Sequence, residues 1–73
     1  MYYVYILLNL QNKIFYTGYT KDLVKRIKQH KNKQVFATRN FEDLNLVYYE
    51  GCLNRYDALK REKYLMVRPS LRK

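Results

Sequence analysis

The sequence has few of the residues that would place it in several common protein classes. Its single cysteine, Cys52, can form neither an internal disulfide nor a cysteine-based zinc site. No stretch approaches the ~18 consecutive apolar residues of a membrane-spanning helix. The N-terminal residues lack the basic segment of a signal peptide. We therefore expect a cytoplasmic protein without a membrane role.

Acidic residues are also scarce. Six Asp and Glu stand against fifteen Lys and Arg, which gives a formal net charge of +9 on 73 residues. Such an excess favours polyanionic partners, of which nucleic acid is the first to consider. Solvation of exposed helix faces is the alternative explanation. Membrane-surface binding is less favoured, because no segment combines a long apolar helical face with Trp or Phe anchors.

Three segments predict β-strands. Residues 2–10 form an almost unbroken apolar and aromatic run, typical of a central strand covered on both faces. Residues 14–19 follow after a short polar turn, which predicts an antiparallel hairpin. Gly18 within this segment indicates a bulge or the close approach of a bulky group. Residues 45–50 predict the third strand, which Gly51 should end.

Two other segments predict α-helices. The first should run from about position 21 to 31, with Thr20 as its N-cap. The second should begin after Asn54 and continue to about Val67, where Pro69 stops it.

The segment between the first helix and the third strand, residues 32–43, should form a loop anchored by Phe36 and Phe41. The element order is then β-β-α-β-α, which predicts an α+β fold with a three-stranded antiparallel sheet and flanking helices. We expect residues 1–73 to form one domain, with a frayed tail at positions 70–73.

Glu62 is the most unusual residue of the second predicted helix. It lies in the middle of a face whose other residues are apolar at helical spacing, namely Ala58, Leu59, Leu65 and Met66. A carboxylate seldom faces a core unless a cation pairs with it. Two partners are open: a hard divalent ion completed by substrate phosphates and waters, or a salt bridge to Arg26 or a lysine.

Arg26 and His30 interrupt an apolar face in the same way in the first helix, where Leu23 and Ile27 define that face. Their i, i+4 spacing places both side chains on one side of the helix. The arginine fork matches a phosphate, and a histidine can move protons near neutral pH. A surface or core histidine without a chemical role is the alternative for His30.

Tyrosine is abundant, with nine residues in the chain. For most of them a structural role suffices, because tyrosine favours strands and its ring fills a core. Tyr5 and Tyr16 differ by position, since they lie on neighbouring predicted strands and Tyr16 precedes Gly18 by two residues. Their hydroxyls could bind a phosphate oxygen or relay a proton. With Arg26 and Glu62, these residue types suit metal-assisted phosphodiester hydrolysis.

Two tripeptides, Tyr3-Val4-Tyr5 and Tyr16-Thr17-Gly18 with ten intervening residues, resemble the paired signature of the GIY-YIG nuclease superfamily. The stretches YYVYIL, YTGYTKDLVKRIKQH and KREKYL are similar to small single-domain bacterial members, so the resemblance covers nearly the whole chain. It implies a β-β-α-β-α core and cleavage of a DNA phosphodiester by an activated water. It also implies one divalent ion, Mg²⁺ or Mn²⁺, held by Glu62.

The resemblance implies a role for each remaining candidate residue. Tyr5 would act as general base, and Tyr16 would hydrogen-bond within the site or bind phosphate. Gly18 would permit close packing at the site. Arg26 would stabilise the pentavalent phosphate, and His30 would relay the proton from Tyr5.

We expect a DNA substrate selected by structure rather than by sequence, such as branched, damaged or single-stranded DNA in repair. Its backbone should contact Lys21, Lys25, Lys28, Lys31, Lys33 and Arg39. No small-molecule cofactor beyond the metal is expected, and the sequence does not define an oligomeric state. Many family members carry an active-site asparagine beyond the metal-binding glutamate, and none follows Asn54 here. A catalytically weak or inactive nucleic-acid-binding module of the same fold is therefore the alternative.

Overall fold

The computed structural model describes residues 1–41 and 43–71, with side chains as far as position 66. In chain order its elements are β1 (Tyr2–Asn9), β2 (Ile14–Thr20), α1 (Leu23–Lys31), a 3₁₀ helix (Phe36–Thr38), β3 (Leu44–Cys52) and α2 (Arg55–Leu71). The predicted β-β-α-β-α order and the α+β fold with a three-stranded antiparallel sheet are confirmed. Of the predicted tail, positions 72 and 73 lie outside the described residues.

β1 is the central strand of the sheet, with β2 and β3 antiparallel on either side. Its residues Val4, Tyr5 and Leu7 are at most 1% exposed and form much of the core. Because side chains alternate along a strand, Val4 projects from one face of the sheet, and Tyr5 and Leu7 project from the other. Both faces of β1 therefore contribute to the core, as its apolar sequence predicted.

Gly18 does not lie in a bulge. It pairs directly with Tyr5 in an unbroken β1–β2 register. The irregularity of the sheet is on the opposite side of β1, where the register with β3 shifts between Ile6 and Leu7. Gly51 lies inside β3, so the prediction that it ends this strand was wrong.

α1 begins two residues later than predicted, because Asp22 and not Thr20 is its N-cap. The Asp22 carboxylate accepts a hydrogen bond from the Lys25 backbone amide at 3.1 Å. The Thr20 hydroxyl instead accepts from the Asp22 amide at 3.2 Å and stabilises the turn before the helix. Asp is at least as good an N-cap as Thr, so the later residue caps the helix.

The start of α2 is as predicted, since the Asn54 side chain accepts a hydrogen bond from the Asp57 amide at 2.8 Å. Its end is not, because the helix continues to Leu71 instead of stopping near Val67 at Pro69. Proline removes one backbone donor and disfavours helix before it, but these are energetic preferences rather than prohibitions.

Among the described residues, no helix is long and apolar enough to cross a membrane.

The segment between α1 and β3 is less irregular than predicted, because it contains the 3₁₀ helix. Phe36 was expected to anchor it but is 78% exposed, with the Arg39 guanidinium stacked 4.4 Å from its ring centroid. Phe41 is half-buried. The fully buried residue of the 3₁₀ helix is Thr38, which a polar contact with α1 holds in place.

Candidate active site

Tyr5, Tyr16 and His30 meet on one face of the sheet. Tyr5 pairs across the β1–β2 ladder with Gly18, and Tyr16 pairs with Leu7, so both phenols project from the same face. Their ring centroids lie 6.5 Å apart. The imidazole of His30, delivered by α1, lies edge-on to both rings, 5.6 Å from Tyr5 and 5.3 Å from Tyr16.

The imidazole of His30 is hydrogen-bonded through both of its nitrogens. Nε2 lies 2.9 Å from the Tyr5 hydroxyl, and Nδ1 lies 2.7 Å from the Thr38 hydroxyl. All three residues are at most 2% exposed. Burial, with a smaller contribution from the positive charge of Arg26, lowers the pKa of His30 from 6.5 to about 4. The ring is therefore neutral at neutral pH.

Gly18 is required by the close approach of the Tyr5 side chain. A β-carbon at position 18 would lie 2.7 Å from the Tyr5 hydroxyl oxygen and 2.9 Å from its ring carbon Cζ. Both distances are too short, and the tyrosine is buried in close-packed surroundings and hydrogen-bonded. The φ angle of Gly18 is not positive, so its backbone conformation does not require glycine. What requires glycine is the space left by the missing side chain. Of the two alternatives that the sequence offered for this glycine, close approach is confirmed.

Arg26 lies one helical turn before His30 on the same side of α1. Its Nη1 donates a hydrogen bond to the Gln29 side-chain carbonyl at 3.1 Å. The pKa of Tyr5 is raised, because burial outweighs the opposing effect of the adjacent guanidinium. The Nε of Arg26 is buried and has no hydrogen-bond partner among the described residues. Such a donor suits an acceptor that arrives with a ligand, for example a phosphate oxygen.

Glu62 lies one turn after the fully buried Ala58 on the same side of α2. It is half-buried, and burial raises the pKa of its carboxyl against the opposing charge of Lys63. Its negative charge also raises the pKa of Tyr5, which places the carboxylate within electrostatic range of that phenol. Met66 is 55% exposed, so the apolar face predicted around Glu62 is not buried along its whole length.

The salt bridge considered for Glu62 does not form within the described part of the chain. Among the described side chains it pairs with neither Arg26 nor a lysine, and the ion pair of α2 joins Arg61 to Glu50. No cluster of three or more acidic, histidine or cysteine side chains occurs in this part of the chain. A lone carboxylate fits a hard divalent ion when phosphate oxygens and waters complete the coordination. His30 is not a further ligand, because both of its nitrogens are hydrogen-bonded.

The cations predicted to bind nucleic acid are all exposed. They lie before, on and after α1: Lys21, Lys25, Lys28, Lys31, Lys33 and Arg39. Two of them contact the segment after α1: the Lys33 ammonium donates a hydrogen bond to the Phe41 carbonyl at 2.7 Å, and the Arg39 guanidinium stacks on Phe36. The Nζ of Lys21 lies 5.9 Å from the centroid of the Tyr2 ring. The structure thus leaves most of this positive surface open to a partner.

Thr38 is the residue at this site that the sequence did not indicate. It lies in the segment predicted as a loop, where no periodicity or motif marks one hydroxyl over another. Its contact with His30 depends on where the 3₁₀ helix places it, which is a tertiary property.

Residues 1–68 match the family model described as the GIY-YIG catalytic domain. The chain belongs to the GIY-YIG family. The family carries a nuclease-type fold, and the resemblance read from the two tripeptides is confirmed. No solved structure matches the chain.

Three relatives are UPF0213 proteins. One, from the VLF1-GP41 intergenic region of Autographa californica nuclear polyhedrosis virus, is 42% identical over 66 residues, which cover 89% of this chain and 62% of that protein. A second, from Clostridium perfringens, is 42% identical over 66 residues, 89% of this chain and 70% of its own length. A third, from Staphylococcus saprophyticus, is 40% identical over 62 residues, which cover 84% of this chain and 74% of that protein. The chain thus spans less than two thirds of the viral relative.

Proposed function

We propose that the protein is a metal-dependent DNA endonuclease that hydrolyses a phosphodiester bond. The observation that carries this proposal is the buried hydrogen bond between Tyr5 and neutral His30, beside the Nε of Arg26, which has no partner among the described residues. Membership of the GIY-YIG family and the net charge of +9 support it. A core built only for stability would not keep a buried cationic donor without a partner.

Tyr5 takes the proton of the attacking water in this mechanism. Because burial raises its pKa, Tyr5 is a neutral phenol in the free protein and must pass its own proton to His30 as it accepts another. His30, with a pKa of about 4, resists that proton in the free protein. A bound phosphodiester brings negative charge, which offsets the charge of Arg26 and raises the pKa of His30. The relay is therefore more favourable with substrate in place than in the free protein.

Arg26 holds the scissile phosphate, and its Nε is the donor available to a phosphate oxygen. This interaction strengthens as negative charge develops on the pentavalent phosphorus. Tyr16, half-buried beside His30, hydrogen-bonds to the phosphate, and Gly18 leaves room for Tyr5. Glu62 is the residue that would hold one Mg²⁺ or Mn²⁺. The ion, when bound, supplies charge stabilisation at the phosphate oxygens and the leaving group.

The exposed cations around α1 bind the DNA backbone in this proposal: Lys21, Lys25, Lys28, Lys31, Lys33 and Arg39. Backbone contacts position a protein on DNA without reading sequence. We therefore propose selection by DNA structure, with branched, damaged or single-stranded DNA as the substrate of a cytoplasmic repair enzyme.

Incubation with labelled duplex, single-stranded and branched DNAs tests the proposal. The wild type should cut at least one of them with Mg²⁺ or Mn²⁺ and none with EDTA. Tyr5→Phe should slow cutting by roughly 100-fold or more, as expected for loss of a general base. Tyr56→Phe makes the same change at a tyrosine that is 68% exposed and should cut like the wild type.

A catalytically silent nucleic-acid-binding module of the same fold is the second candidate. It is favoured by the isolation of Glu62, which has no acidic or histidine cluster around it among the described residues. Binding to DNA without cutting of any of the three DNAs, in either metal, would establish the module and contradict the nuclease.

A further inference from the structure

We propose that Thr38 is a positioning residue that fixes His30 as the Nδ1–H tautomer, so that Nε2 is free to accept the proton of Tyr5. The catalytic consequence rests on the hydrolysis proposed above. The hydrogen-bond arrangement itself is a property of the free protein and can be measured without any substrate.

The three side chains form a short chain of hydrogen bonds. Neutral histidine has one N–H and one lone pair, and here each nitrogen faces a hydroxyl: Thr38 at 2.7 Å from Nδ1 and Tyr5 at 2.9 Å from Nε2. The direction of one hydrogen bond therefore sets the direction of the other. Either Tyr5 donates to Nε2 and Nδ1 donates to Thr38, or both hydrogen bonds run the opposite way.

Arg26 selects between these two directions. Its cationic guanidinium is adjacent to the Tyr5 oxygen, and a positive charge turns the hydroxyl hydrogen away from itself, toward His30. In the opposite arrangement the phenol hydrogen would need a different acceptor. Tyr5 is 0% exposed, the Arg26 guanidinium can only donate to its oxygen, and among the described residues His30 Nε2 is the acceptor at hydrogen-bond distance. A buried donor without an acceptor is costly, so Tyr5 donates to Nε2 and Nδ1–H donates to Thr38.

The backbone holds Thr38 firmly enough to orient the ring. Its amide donates to the Val35 carbonyl at 3.1 Å, and its carbonyl accepts from the Phe41 amide at 3.0 Å. The side chain is fully buried and β-branched, which restricts its rotation. Without this hydroxyl the Nδ1–H would be a buried donor without an acceptor among the described residues, which disfavours this tautomer, and a proton on Nε2 would block transfer from Tyr5.

Nitrogen NMR gives a direct test, because His30 is the sole histidine of the chain. Protein labelled with ¹⁵N-histidine should show, at neutral pH, a protonated Nδ1 and an unprotonated Nε2. A wild-type ring protonated on Nε2 would overturn the assignment. This result is independent of DNA cutting, so a protein that cuts nothing would contradict the proposed function and leave the tautomer to be judged from the spectrum.

Two variants separate positioning from simple packing. Thr38→Val keeps the shape and removes the hydroxyl, whereas Thr38→Ser keeps the hydroxyl and removes the methyl. The valine variant should show a smaller population of the Nδ1–H form and cut at least about tenfold more slowly at saturating DNA, with KM unchanged. The serine variant should recover both properties. A valine variant with wild-type tautomer and rate, or a serine variant as impaired as valine, would contradict the role. If the valine variant does not fold, the wild-type and serine spectra decide the question.

Discussion

The proton-handling part of the site, Tyr5, His30 and Thr38, differs from its proposed metal-binding part, Glu62, in how completely the fold forms it. Tyr5, His30 and Thr38 are buried and joined by two hydrogen bonds before any ligand arrives. Glu62 is half-buried and has neither an ion pair nor an acidic cluster among the described residues. The first part is thus preorganised, whereas the second, in the proposed mechanism, is completed by substrate phosphate and an ion.

The difference follows from the elements that carry the two parts. Tyr5 lies in the central strand, where ladders on both sides fix its position, and the buried end of α1 delivers His30. Glu62 lies on a helix whose next turn carries the largely exposed Met66. Changes to the proton-handling part should therefore reduce stability and activity together, and changes at Glu62 should reduce activity alone.

The largest stability effect should come from the titration of His30. Its pKa is about 4 in the folded protein and 6.5 ordinarily, so the unfolded chain binds the proton more readily between these values. Stability from this group is complete above about pH 6.5 and is lost as pH falls toward 4, by roughly 3 kcal/mol at ~1.36 kcal/mol per pKa unit.

Urea denaturation at neutral pH and near pH 4 measures this loss, with His30→Gln as the control. The variant cannot titrate at this position but keeps every other ionisable group. The free energy of unfolding should fall more between the two pH values in the wild type than in the variant. Identical changes in the two proteins would show that the ring is not buried in its neutral form.

A methyl group at Gly18 should be the next most damaging change. The added carbon would meet the buried Tyr5 hydroxyl at 2.7 Å, so Gly18→Ala should cost about 1–3 kcal/mol, as overpacking typically does. Gly51→Ala is the matched control, because its added carbon would meet the Met1 sulfur at 2.8 Å, at the end of an exposed, flexible side chain. Equal losses in thermal denaturation would mean that the space beside Tyr5 is not tight.

The comparison between the two parts is sharpened by removing one polar group from each. Tyr5→Phe deletes the hydroxyl bonded to His30 and should cost about 1–2 kcal/mol, since it leaves a buried nitrogen without its partner. Glu62→Gln should change stability by less than about 0.5 kcal/mol, because the carboxylate has no ion pair with any described side chain to lose. Denaturation curves that ranked these two variants in the opposite order would reverse our assignment of the preorganised part.

The smallest effect concerns the exposed cations. Lys25→Gln combined with Lys28→Gln should weaken DNA binding and flatten its dependence on salt, with a loss of about 0.9 in log–log slope for each phosphate contact removed from duplex DNA. Lys60→Gln with Lys63→Gln removes the same charge from exposed positions of α2. Equal slopes for the two double variants, measured by fluorescence anisotropy, would place the DNA elsewhere than on α1.

Hydrophobic patterning was enough to predict the fold and to single out Arg26 and His30, whereas Tyr5 and Tyr16 were singled out by their positions on neighbouring strands. The apolar run of β1 identified the central strand, and i, i+4 spacing placed Arg26 and His30 on one side of α1. These features are local, because they depend on the period of an element. The boundaries were less predictable, since Asp22 competed with Thr20 for the cap and α2 continued through Pro69.

What the sequence could not provide depends on tertiary contacts. The burial of Thr38 against His30 and the exposure of Phe36 are both set by the placement of the 3₁₀ helix. The depressed pKa of His30 likewise requires knowledge of its burial, which the helical pattern does not supply.

Single-turnover cutting by Glu62→Gln, measured together with DNA affinity, tests most directly whether the two parts act as one hydrolytic site. Glu50→Gln is the control, because it makes the same change at a carboxylate that is paired with Arg61 and lies opposite Val4, on the face of the sheet away from the Tyr5 side chain. We predict that Glu62→Gln binds DNA like the wild type without metal but cuts about 100-fold more slowly or worse, while Glu50→Gln cuts normally. Wild-type cutting by Glu62→Gln would contradict the account.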